Sequence, residues 1–192
     1  MKTKNILIVG VGGQGTLLTS RILGNLAVEL GYDVKLSEVH GMSQRGGSVE
    51  THVKYGEKVN SPLIEVSQAD IILSFEKLEA LRWKHYLSPQ GVLLVNDQQI
   101  DPMPVITGAE KYPDNIIDTL KEQCSNVIAV DAVTIAKEIG NIRVVNTVLL
   151  GLLAKNMEID KEKWIDAIKT TVPAKTIDIN IEAFERGYTY NK

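Results

Sequence analysis

Ile6-Leu7-Ile8-Val9-Gly10-Val11-Gly12-Gly13-Gln14-Gly15 is the stretch on which the fold turns. A short β-branched run that stops at glycine suits a parallel strand buried on both faces, and such a strand is expected at the centre of its sheet. Leu17, Leu18, Ile22, Leu23, Leu26, Ala27 and Leu30 then recur at helical spacing, and Gly31 supplies a C-terminal stop, so a helix is expected over residues 16–30. Strand, glycine turn and helix in that order open a doubly wound α/β domain with a Rossmann-like beginning.

The rest of the chain extends this pattern. Residues 33–36 read as a short second strand, followed by a polar, glycine-rich loop over residues 37–48. Val49, Thr51, Val53 and Tyr55 alternate with Glu50, His52 and Lys54, which predicts a strand with one wet face, near a sheet edge, and a solvated His52. Further buried strands are expected over 70–75, 92–95 and 127–130, with helices over 77–86 and 115–122. His85 falls in the first of these with Trp83 and Tyr86 and reads as structural. After Asp131 the chain turns helical, over 132–139, 144–155, 161–170 and 178–187. Val148, Leu149, Leu152 and Leu153 belong either to the core or to a face for another subunit. The expectation is a single domain across residues 1–192. It has a mostly parallel sheet covered on both faces, a helical C-terminal third, and ligands at the carboxyl ends of the strands.

Composition narrows the function. Of 192 residues, 44% are hydrophobic and 23% charged, which is ordinary for a soluble domain. A net charge of −3 gives no electrostatic reason to expect nucleic acid, whose binding normally needs a clustered basic face. The apolar run after Lys2 and Lys4 is too short for a signal peptide, and no run approaches the ~18 apolar residues that span a bilayer. A cytoplasmic protein without a membrane partner is expected. Cys124 is the one cysteine, so the chain cannot by itself form a Cys-x-x-Cys zinc half-site or ligate an iron–sulfur cluster, and no metal site is assigned.

Gly10, Gly12 and Gly15 satisfy G-x-G-x-x-G between a strand and a helix, with Gly13 inside the motif. Free N–H groups and the positive end of the helix dipole favour an anion there, and Glu38, 23 positions after Gly15, suits a ribose hydroxyl. These residues make a candidate cofactor site for NAD or FAD in a stand-alone oxidoreductase. Equally, the glycines serve only close strand-to-helix packing in a non-catalytic assembly subunit. The loop that follows is denser in chemistry: His40, Met42, Ser43, Gln44 and Arg45 stand among Gly41, Gly46 and Gly47. Arg45 suits a carboxylate or phosphate, and the glycines permit close backbone approach to a partner.

Taken together, Val9-Gly-Val-Gly-Gly-Gln-Gly15 and Ser37-Glu-Val-His-Gly-Met-Ser-Gln-Arg-Gly-Gly-Ser-Val49 resemble the gamma domain of 2-oxoacid:ferredoxin oxidoreductases. The likeness continues through Asn141-Ile-Arg-Val-Val-Asn-Thr-Val-Leu-Leu-Gly151 and Asn180-Ile-Glu-Ala-Phe-Glu-Arg-Gly187, and so covers nearly the whole chain. The resemblance implies a subunit of a complex that oxidatively decarboxylates a 2-oxoacid, an arylpyruvate such as indolepyruvate. The acyl group passes to coenzyme A as co-substrate and the electrons to ferredoxin. It also implies thiamine diphosphate and iron–sulfur clusters, but the chain has no Gly-Asp-Gly segment and a single cysteine, so a larger alpha subunit is expected to hold them. The loop from Glu38 to Ser48 is then expected to dock against that subunit and shape the approach to the active site.

Overall fold

The computed structural model of the protein describes residues 3–41 and 46–191. In chain order the strands are β1 (Lys4–Val11), β2 (Asp33–His40), β3 (Ser48–Gly56), β4 (Ala69–Ser74), β5 (Leu87–Asn96) and β6 (Val127–Val130). The helices are α1 (Thr16–Glu29), α2 (Lys77–Trp83), α3 (Met103–Ile106), α4 (Ile116–Gln123), α5 (Ala132–Ile139), α6 (Val145–Lys155), α7 (Lys161–Thr171) and α8 (Ile177–Tyr188). Short 3₁₀ turns add Lys84–Tyr86, which carries the exposed His85, and Ile142–Val144 ahead of α6.

These strands form one sheet in the order β2-β3-β1-β4-β5-β6. β1, β4, β5 and β6 pair in parallel, whereas β3 is antiparallel to both β1 and β2. The short connection between β2 and β3 can only return the chain as a hairpin, while parallel neighbours need a crossover long enough to hold a helix. β2 therefore points the same way as β1, and the sheet is mostly parallel. Its centre is β1, as its buried run from Ile6 to Val11 requires.

Alternate β1 side chains enter two cores. Ile6 and Ile8, with Leu73 and Leu94, meet α1 and the C-terminal helices; Leu7 and Val9, with Ile72, Leu93 and Val95, meet α2 and α4. Helices thus cover both faces, and Val148, Leu149, Leu152 and Leu153 lie in the first core.

Two expectations need correction. β3 is not a strand with a wet face: it lies one place in from the edge, which is β2, and His52 is buried, with its Nδ1 accepting from the Ile64 N–H at 3.1 Å. The segment around Ile64 and the ring of Tyr86 cover that face. Second, Ser37, Glu38, Val39 and His40 are strand and not loop, because β2 stays in register with β3 up to His40 opposite Val49.

The C-terminal motifs hold two helices together. A β-carbon on Gly151 would sit 2.1 Å from the Phe184 carbonyl oxygen, and one on Gly187 would sit 1.9 Å from that of Val148, so α6 and α8 cross backbone to backbone. Beside the crossing, the Thr147 hydroxyl donates to Asn180 Oδ1 at 2.6 Å, and Asn180 Nδ2 donates to the Thr176 carbonyl at 2.7 Å. Among the described residues no helix is long and apolar enough to cross a membrane.

Candidate functional site

The site grows from the end of β1. After Val11 the chain turns, and the Gly12 N–H donates to the Gly47 carbonyl at 2.9 Å, which ties the glycine turn to the far end of the β2–β3 loop. Gln14 then folds back beneath the turn. Its Oε1 accepts from the Val11 N–H at 2.7 Å, and its Nε2 donates to the Phe75 carbonyl at 2.9 Å and to Gln98 Oε1 at 3.1 Å. Fully buried Asn96 completes the network: its Nδ2 donates to the Phe75 carbonyl and to Gln98 Oε1, and its Oδ1 accepts from the Ala132 N–H. The carboxyl ends of β1, β4 and β5 and the start of α5 are thereby locked in one arrangement. Buried polar groups must be paired in this way to avoid a large desolvation cost.

Gly15 begins α1 at φ +87°, in the left-handed region that favours glycine, and no side chain caps the helix. A cleft of about 330 Å³ opens there. The turn contributes Gly13, Gln14 and Gly15, the end of β5 contributes Gln98, and the opposite wall is Val133, Ile142, Arg143, Val145 and Asn146. Asn146 is reached because Gly15 has no side chain: a β-carbon there would stand 2.9 Å from Asn146 Nδ2.

Of the residues singled out in the sequence, Gly13 and Gly15 line this cleft. Gly10 lies deeper, where a β-carbon would be 2.9 Å from both Gln14 Oε1 and Phe75 Cβ. Glu38 and His40 sit apart, on β2. Glu38 accepts from Thr51 Oγ1 at 3.1 Å and pairs with His40 Nε2 at 2.6 Å, so its carboxylate is already engaged within the protein. Gly46 adopts φ +78° at the end of the loop. Met42, Ser43, Gln44 and Arg45 lie outside the described residues.

Sequence reading missed Gln14, Asn96, Gln98, Arg143 and Asn146. Their signals were present: Gln14 lies inside the glycine motif, Asn96 and Gln98 closely follow the apolar run over 92–95, and Arg143 and Asn146 belong to the third quoted motif.

Below the loop, β3 and α2 hold a second polar group. The Ser48 hydroxyl donates to Glu79, which also receives the Trp83 Nε1–H at 3.3 Å and stands 3.3 Å from Arg82. Burial pushes the Glu79 carboxyl above the ordinary carboxylate range, against the pull of Ser48 and Arg82. Glu76 caps α2 by accepting from the Glu79 N–H at 2.9 Å, and it also receives the Tyr112 hydroxyl. Burial, then the bond to Glu76, keeps that phenol protonated. On β3, burial raises Glu50, whose Oε2 has no partner among the described residues, and burial together with Lys54 lowers His52. Because His52 Nδ1 accepts, the ring proton sits on Nε2, which lies 3.9 Å from Glu50 Oε1. Among the described residues no three His, Cys, Asp or Glu side chains gather as a metal site would require.

Known proteins share both the sequence and the architecture. The indolepyruvate oxidoreductase subunit IorB of Thermococcus kodakarensis is 43% identical over 192 residues, spanning 97% of this chain and 95% of the relative. The pyruvate oxidoreductase subunit PORC of Thermotoga maritima has the same fold, with a TM-score of 0.75 at 24% identity, covering 100% of this chain and 98% of that one. The fold also recurs within the 2-oxoglutarate:ferredoxin oxidoreductase of Magnetococcus marinus, with a TM-score of 0.73 at 19% identity. That match takes in 98% of this chain but only 31% of the longer one. Residues 5–190 match the pyruvate ferredoxin/flavodoxin oxidoreductase family, and the chain belongs to that family.

Proposed function

We propose that this chain is a single gamma-type domain over residues 1–192, the small subunit of a cytoplasmic indolepyruvate:ferredoxin oxidoreductase. The complex oxidatively decarboxylates the 2-oxoacid, transfers the acyl group to coenzyme A and passes the electrons to ferredoxin. The observation that carries this reading is the 43% identity, over nearly the full length of both chains, to a subunit of an indolepyruvate oxidoreductase. The 2-oxoglutarate enzyme supports it from another side, since there the same fold is one part of a much longer chain.

Thiamine diphosphate and iron–sulfur clusters belong to the larger alpha subunit. The residues of this chain do not fit either group. Cys124 is alone, half-buried and without neighbouring thiols, and burial pushes its thiol up, away from the thiolate a cluster needs. What the chain contributes is a shaped surface. The segment from His40 to Gly47, which includes Arg45, meets the larger subunit. Its carboxyl-terminal end is held by Gly12 on Gly47 and by Glu79 on Ser48.

The test is co-expression with the large subunit, followed by viologen or ferredoxin reduction with indolepyruvate and coenzyme A. Activity that needs both chains and both substrates is expected. Failure of every 2-oxoacid tried, with both chains folded and present, overturns the reading.

A further inference from the structure

We propose that Glu50 is the anchor for a cationic side chain of the larger subunit, an arginine or a lysine, received beside Val39 on the open face of β2 and β3. The inference rests on the reading of this chain as the small subunit of such a complex. Residues directly opposite one another in a ladder share a face of the sheet. Val39 on β2 and Val9 on β1 both stand opposite Glu50, and Val9 belongs to the second core. Glu50 therefore lies between that core and the sheet edge, where Val39 is exposed. The helices on this side, α2 and α4, pack chiefly on β1, β4, β5 and β6, and the face opens to solvent at Val39.

What marks Glu50 is charge without a counter-charge. Its Oε2 is buried and has no partner among the described residues, while the side chain as a whole keeps 18% of its surface exposed. The lysines on this face, Lys35 and Lys54, are engaged by Asp33 and by the Leu63 carbonyl, and Arg82 of α2 is engaged by Glu79. His52 offers no charge, since its Nε2 is 3.9 Å from Oε1 and burial, then Lys54, keeps the ring neutral. An ionised carboxylate desolvated in this way destabilises a fold, and a glutamine of the same shape would not carry that cost. Burial raises the Glu50 carboxyl accordingly. An arriving arginine or lysine supplies the missing charge through the exposed side of the group, and Val39 shields the pair from water. Rotation about the last side-chain bond exchanges the two oxygens, so either can meet the cation.

The experiment compares the isolated chain, by thermal melt near pH 7.5, with the complex co-purified with the large subunit, by sedimentation velocity on dilution. Glu50→Gln is expected to raise the Tm of the isolated chain by about 2–4 °C and yet to make the complex fall apart at a concentration at least tenfold higher. A structural role alone would shift both measurements the same way. Val39→Lys, at an exposed position, is expected to fold and to weaken the complex at least tenfold, because its ammonium takes the place of the partner's cation. Glu162→Gln, exposed on α7 across the sheet, is expected to match the wild type in both measurements. A lower Tm for isolated Glu50→Gln, which would put the counter-charge within this chain, overturns the proposal. So does a Glu50→Gln complex as tight as the wild type's. A wild-type chain that forms no complex overturns the parent reading as well, whereas a wild-type complex that turns over indolepyruvate beside an equally tight Glu50→Gln complex overturns this inference alone.

Discussion

Gln14 illustrates how one side chain can convert a loose motif into a rigid one. It spends both amide hydrogens and its oxygen on three strands' ends, so Gln14→Ala leaves the Val11 N–H and Gln98 Oε1 short of partners. The expected loss is about 1–3 kcal/mol, read in a thermal melt as a Tm lower by roughly 2–4 °C per kcal/mol. Glu50 shows the opposite case, a half-buried carboxylate whose Oε2 is buried without a partner among the described residues. Burial raises its carboxyl in the folded state, so the cost of its charge is absent below the unfolded value, about 4.3, and grows as pH rises through the folded value. Glu50→Gln is therefore expected to raise Tm by about 2–4 °C near pH 7.5 and to change it little near pH 4. Neither residue's environment was legible in the sequence. The alternation in β3 shows that Glu50 and His52 share a face, but the cover comes from Ile64 and Tyr86, which lie 12 or more positions away.

At the scale of elements, helix and strand positions followed the periodicity closely. The segments expected over 127–130 and 132–139 coincide with β6 and α5. α3 escaped because four residues after Pro102 are too few to show a period. β2 was read as ending at Leu36 because polar side chains follow. Ladder hydrogen bonds to β3 are made by backbone, however, and hold those residues extended whatever their polarity. The α6–α8 crossing makes the sharpest prediction here. Gly151→Ala or Gly187→Ala inserts a methyl where a carbonyl already stands, and separating the helices is expected to cost about 3 kcal/mol or more. Denaturant titration of either variant checks this, and a loss under about 1 kcal/mol would mean the helices do not cross so closely.

For the whole molecule, the carboxyl edge of the sheet gathers what a partner would need. Leu17, Val39, Met103, Ile106 and Ile142 are all exposed: Leu17, Met103 and Ile106 follow the carboxyl ends of β1 and β5, Val39 lies near the carboxyl end of β2, and Ile142 lines the cleft. Exposed apolar side chains at these strand ends suit a larger partner subunit. A Met103→Asp/Ile106→Asp double variant is accordingly expected to weaken assembly with that subunit at least tenfold while leaving Tm within about 2 °C, since both side chains are solvent-facing. Arg45→Ala is expected to reduce assembly or coenzyme A-dependent turnover; both are measured by co-purification and steady-state assay.

By itself the sequence determined the strand, glycine turn and helix at residues 6–30, the alternation that builds a sheet covered on both faces, and the motifs that mark the family. Those are local patterns, set by side-chain period and by the φ values glycine permits. The tertiary structure alone decided that Gly10 and Glu38 part company. Gly10 is packed beneath the turn, Glu38 is satisfied by Thr51 and His40, and the open cleft belongs instead to Gly13, Gly15, Arg143 and Asn146. A hairpin swung β2 to the sheet edge with its acidic residue, while the C-terminal helices folded back over the start of α1. Such long-range placement depends on which apolar faces find each other, and no spacing along the chain encodes it.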